Sequence, residues 1–139
     1  MKVEILTICD YAGVELTTGK INIIGTFDTL WGSQAPISQL NCAIAGRVRF
    51  ESTEEGQKKM GLSFIDSDGR PIMPAMNLMM SFTCPPGVPT ATVPICAIIQ
   101  QINLPSFGEY SVVLTVDNRV EGSTPLYVRQ KPSPHPPPA

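Results

Sequence analysis

Leu40-Asn41-Cys42-Ala43-Ile44-Ala45-Gly46-Arg47-Val48-Arg49-Phe50 alternates with a period of two. On an extended chain Leu40, Cys42, Ile44, Gly46, Val48 and Phe50 point one way. Asn41, Arg47, Arg49 and then Glu51 point the other, with Ala43 and Ala45 among them. One face is apolar and the other mostly polar, the pattern of a strand in an antiparallel sheet with a core beneath it and water above.

The same period recurs on both sides of this stretch. It marks strands at Val3–Ala12, Lys20–Trp31, Gln57–Asp66, Met76–Thr83, Val93–Leu104, Tyr110–Asp117 and Thr124–Gln130, while no segment carries a sustained helical stripe. Turn chemistry lies between them: Thr17, Thr18 and Gly19; Glu54, Glu55 and Gly56; Asp66 to Gly69; Asp117 with Asn118. The chain therefore reads as all-β, an antiparallel β-sandwich of about eight strands, immunoglobulin-like or C2-like. At 139 residues it has the length of one domain. We place that domain at 1–130 and expect the Pro-rich tail, 131–139, to be disordered, because its prolines cannot donate ladder hydrogen bonds. The segment between Cys84 and Pro94 reads as one rigid proline-containing loop.

Composition removes several kinds of chemistry. The one histidine, His135, lies among Pro132, Pro134, Pro136, Pro137 and Pro138, where nothing positions an imidazole. Hydrolases built on Ser/His/Asp, Cys/His or His-ligated zinc therefore lack an essential part. A net charge of -2 leaves no cationic surplus for phosphates, so nucleic acid is not an expected partner. No run of eighteen apolar residues exists, and Glu4 and Asp10 interrupt the apolar text at the start, so we expect no membrane association and a cytoplasmic location. Cys9, Cys42, Cys84 and Cys96 form no CxxC pair; we expect them reduced and buried as small hydrophobes, with no metal and no cofactor.

Two features point to binding. Four methionines fall within Met73 to Met80, where apolar groups occupy both parities, and Val93–Leu104 is apolar on both parities too. A small sandwich normally leaves the outer face of each sheet to water. Two such strands exceed what one core hides, so we take Trp31, Met73, Met76, Met79, Ile98 and Ile99 as candidate interface residues. The expected function is a non-catalytic binding or assembly module, self-associating as a homo-oligomer through these apolar strands or bound to another protein. The alternative is a small-ligand or calcium-binding sandwich. Asp66 and Asp68 precede Gly69 as in part of a calcium loop, but Arg70 and Pro71 stand where further oxygen ligands would be. An enzyme using carboxylates alone comes third.

Two resemblances bear on this reading. Leu104-Pro-Ser-Phe-Gly-Glu-Tyr-Ser-Val112 resembles the strand entry of immunoglobulin-type sandwiches, which implies that Tyr110 tucks its hydroxyl onto a nearby backbone group. The cysteine of those sandwiches two positions later is Val112 here. KVEILTICDYA (Lys2–Ala12), GKINIIGTFDTLW (Gly19–Trp31), FGEYSVVLTVD (Phe107–Asp117) and GSTPLYV (Gly122–Val128) resemble a small bacterial family of uncharacterised single-domain proteins. That likeness implies a small all-β fold with no assigned activity.

Overall fold

The computed structural model of the chain describes residues 1–132; His135 and the expected disorder beyond 132 lie outside the described residues. Nine strands form two packed sheets. They are β1 (Lys2–Val14), β2 (Ile21–Phe27), β3 (Thr29–Gly32), β4 (Ile37–Glu51), β5 (Gly56–Ile65), β6 (Met76–Phe82), β7 (Thr90–Leu104), β8 (Gly108–Val116) and β9 (Arg119–Gln130). One sheet has the order β2-β1-β4-β7 and the other β3-β9-β8-β5-β6. The all-β sandwich is as expected, with nine strands in place of eight.

The extra strand comes from Lys20–Trp31, which divides at Asp28. Phe27 and Leu30 both pack on the core although they stand three apart, a spacing that a continuous strand would place on opposite faces. Asp28 is the crossing point between sheets, held where the Tyr127 N–H donates to its carbonyl at 2.7 Å. β3 then pairs with β9 in parallel, so the sheets are not purely antiparallel.

The core between the sheets contains Phe50, Phe64, Ile8, Ile44, Leu104, Leu114 and Leu126, and no polar or charged side chain is buried among the described residues. Phe50 and Phe82 pack with ring centroids 5.0 Å apart. Tyr110 is buried; its hydroxyl donates to the Ser106 carbonyl at 2.7 Å and accepts the Ser106 N–H at 3.2 Å, the corner implied by the immunoglobulin-type resemblance.

Two breaks in alternation account for much of the apolar text on both parities. The first is at Asn41, whose φ of 55° interrupts the β4–β7 ladder between the pairs Leu40↔Gln101 and Cys42↔Ile99. Buried residues of β7 accordingly change parity, from Val93, Ile95 and Ile99 to Ile102 and Leu104. The second lies at Asp10 and Gly25. Beyond Cys9 the β1–β2 hairpin leaves β4 and folds over the outer face of its own sheet. There Ile21 and Ile23 pack on Cys9, Ala12, Ala43 and Ala45, and the Cys96 thiol donates to the Ala12 carbonyl at 3.3 Å. Ala43 and Ala45 point outward yet are fully buried beneath this arm. Part of the apolar surplus that suggested oligomerisation is thus covered within one chain.

Gly25 makes that fold-back possible. Its φ is 70°, and a Cβ there would lie 2.5 Å from a carboxylate oxygen of Asp10. Gly25→Ala is therefore expected to destabilise the fold by about 1–2 kcal/mol from the backbone conformation alone, read as a lower urea midpoint at unchanged m-value.

Candidate functional site

On the side where the chain crosses at Asp28, the end of β2 at Phe27 and β3 at Leu30 both pack on the core. Counting away from that side, β1 lies over β9, against which it packs. At the far side the inner face of β6 is covered in part: Phe82 packs on Phe50 of β4, Met76 and Met80 are half-buried against the core, and Leu78 between them is left exposed.

Strand periodicity turns Met76, Leu78, Met80 and Phe82 toward the interior. Phe82 reaches the core and is buried, but Leu78 is 60% exposed although it faces inward. Beside Leu78 opens an apolar slot of about 400 Å³. Met60 and Leu62 form its floor, Met76, Leu78 and Met80 one wall, and Pro94, Ile95, Cys96 and Ala97 the other. Val14, from the folded-back hairpin, forms a lip.

Both strands beside the slot are sheet edges: β6 pairs only with β5 and β7 only with β4. Exposed edges ordinarily carry charges that prevent further pairing. Neither Met76–Phe82 nor Thr90–Leu104 contains an Asp, Glu, Lys or Arg. Pro94 is tolerated in β7 because an edge strand does not need every N–H for the ladder.

The six candidate residues do not converge. Met76 lines the slot. Met73 is half-buried and packs on the core. Met79 is 61% exposed, but its parity directs it to the opposite face of β6, beside Lys59. Ile98 is 57% exposed on the outer face of β7. Ile99 lies in the core at 4% exposure, on the other side of the same strand, and so offers no surface to a partner. Trp31 is 52% exposed on β3, at the far edge of the other sheet and paired with Arg129, whose guanidinium lies over Tyr127. Sequence reasoning missed Leu78, Met60, Leu62, Met80 and Ile95 as a group. The readable signal was the uncharged composition of both strands, not their double apolar parity.

The remaining candidate groups serve the fold. One Asp66 carboxylate oxygen accepts the N–H groups of Asp68 and Arg70, both at 2.9 Å, and so closes the turn. Among the described residues no three His, Cys, Asp or Glu side chains are placed to hold a metal ion. All four cysteines are free; Cys9 and Cys42 are buried as expected, whereas Cys84 is half-buried and Cys96 exposed. Burial pushes each thiol above its ordinary value, away from the reactive thiolate. No helix among the described residues is long and apolar enough to cross a membrane.

Residues 4–129 match a family described as a family of unknown function, DUF6941. The chain belongs to that family. No curated protein matches this DUF6941 chain. Among solved structures it is similar to an immunoglobulin-like protein from Pseudomonas aeruginosa, at 12% identity and a TM-score of 0.39, covering 92% of this chain and 95% of that one. It is also similar to a β-glucuronidase from glycoside hydrolase family 2, at 15% identity and a TM-score of 0.42, covering 66% of this chain. The DUF6941 chain spans about 10% of the length of that β-glucuronidase.

Opposite the slot's wall, on the outer face, Glu4 sits where the β1–β4 register shifts. Its carboxylate accepts Arg47 Nε at 3.1 Å and Arg49 Nε at 2.8 Å. The hydrogen bond from Arg49, with the charges of both arginines, holds its pKa below the usual carboxylate range. A lowered folded-state pKa contributes stability above the unfolded value that is lost as pH falls through the folded one. Glu4→Gln should therefore lower the urea midpoint at about pH 7, and the difference should narrow as the pH falls below the ordinary carboxylate range.

The slot makes a second prediction. Leu78→Ala should cost under about 1 kcal/mol, because the side chain is mostly in water, whereas the fully buried Leu114→Ala should cost about 2–5 kcal/mol. Chemical denaturation of the two variants checks the contrast.

Proposed function

We propose that this DUF6941 protein is a non-catalytic binding module and that the slot between β6 and β7 is its binding surface. The observation that carries this reading is Leu78: an inward-facing leucine of a sandwich strand, left 60% exposed between two uncharged edges. The lining supports binding over catalysis, since it offers methionines and aliphatic groups and no titratable pair for proton transfer. Methionine walls adapt to the shape of what enters them.

Energetics set what kind of partner suffices. Covering a few hundred Å² of apolar surface at about 25 cal/mol per Å² yields several kcal/mol gross. Association costs about 4–15 kcal/mol. Apolar contact in the slot alone is thus near balance, and a durable complex needs further interactions at its rim.

A fluorescent apolar dye, anilinonaphthalene sulfonate, tests the surface. The native protein should bind it, Leu78→Glu should lose that binding at an unchanged unfolding midpoint, and Met79→Glu, on the opposite face, should keep it. Equal dye binding by Leu78→Glu, or none by the native protein, counts against the slot.

A further inference from the structure

We infer that the occupant of the slot is a single extended strand of another polypeptide, which adds to the free edge of β7 as a fifth strand of its sheet and so lies over β6. This rests on the slot being the binding surface, and it goes further by naming the chemistry of what fills it. The space has the dimensions of one strand. β7 is the free edge of its four-stranded sheet, and the exposed Leu78, between the half-buried Met76 and Met80, lies across the slot, where the next strand of that sheet would run about 4.8 Å beyond β7. β6 has seven residues, about 23 Å of strand, so a segment of similar length covers it.

The lining specifies the segment's composition. Every second side chain would enter an apolar slot between strands with no charge of their own, where an unpaired charged group would be desolvated without compensation. The incoming strand is therefore apolar at alternate positions and uncharged between its ends. Its backbone supplies what apolar contact alone lacks: outward N–H and C=O groups along β7 have no ladder partner among the described residues, and pairing them is the mode by which extended peptides add to sheet edges.

A second copy of the sandwich fits less well. Two-fold pairing of β7 with β7 requires the same patch on both partners. Each copy would then bring its own overhanging β6 into the space below the other's β7, which β5 and β6 of that copy already fill. The chain's own end is equally unsuited, because five prolines between Pro132 and Pro138 leave too few N–H groups for a ladder.

The test uses the full chain and a nine-residue synthetic peptide with valine and threonine alternating between two terminal lysines, followed by NMR of the backbone amides. Binding is expected at peptide concentrations up to about 1 mM, with new protection from exchange at alternate amides between Ile95 and Ile99. Leu78→Glu, and a control peptide with proline in place of threonine, should each weaken binding by at least about tenfold. Equal binding of the proline peptide overturns strand addition, as does protection confined to β6. A dimer in sedimentation that Leu78→Glu dissociates also overturns it and makes a second copy the occupant. Absence of peptide binding while the dye still enters the slot sinks this inference and leaves the binding surface standing; loss of both removes both.

Discussion

Two sheets packed face to face shield one another only where a strand lies over a strand, and most of what distinguishes this molecule follows from a mismatch in that pairing. At the closed side the chain steps from β2 to β3 at Asp28, so that Phe27 and Leu30 both reach the core. The sheets differ in strand number, four against five, and at the opposite side β6 keeps Leu78 exposed on its inner face. The core itself is complete: Phe50, Phe64, Ile44 and Leu114 are buried. Mismatch therefore leaves a surface feature on a packed body, and its shape is set by backbone spacing rather than by any single side chain.

The period-two text around Leu40–Phe50 was enough to read a sandwich, and the paired residues of β4 and β7 keep one register along their length. What escaped the text were places where a single backbone angle changes the phase. Asn41 at φ 55° exchanges the inward and outward sets of two strands at once, so Ile99 and Ile102, of opposite parity, both become core residues. Gly25 at φ 70° swings a hairpin across the sheet, so Ala43 and Ala45 are buried on the face that alternation assigns to water. Such angles depend on contacts distant in sequence, and composition does not report them. The site was less legible for a related reason. Leu78 looks like any core leucine until the strand count of the facing sheet is known, whereas Met79, conspicuous in the text, merely occupies an exposed outer position.

The folded-back hairpin removes apolar surface from the outer face. Without the arm, the outer face of β4 and β7 would present Ala43, Ala45 and Cys96 beside Ile98, and an apolar partner would have a choice of surfaces. With it, Ile21 and Ile23 cover the small residues, while Glu4, Arg47 and Arg49 hold the rest of that face polar through their ion pairs. Charged pairs of this exposure add little to stability. Their effect is to keep that face hydrated around the exposed Ile98 of β7. On the inner side, beside the same edge, Leu78 is exposed between half-buried methionines. In the proposed binding surface an apolar wall thus stands next to an edge strand, and under that reading backbone conformation and side-chain polarity would select the same class of partner.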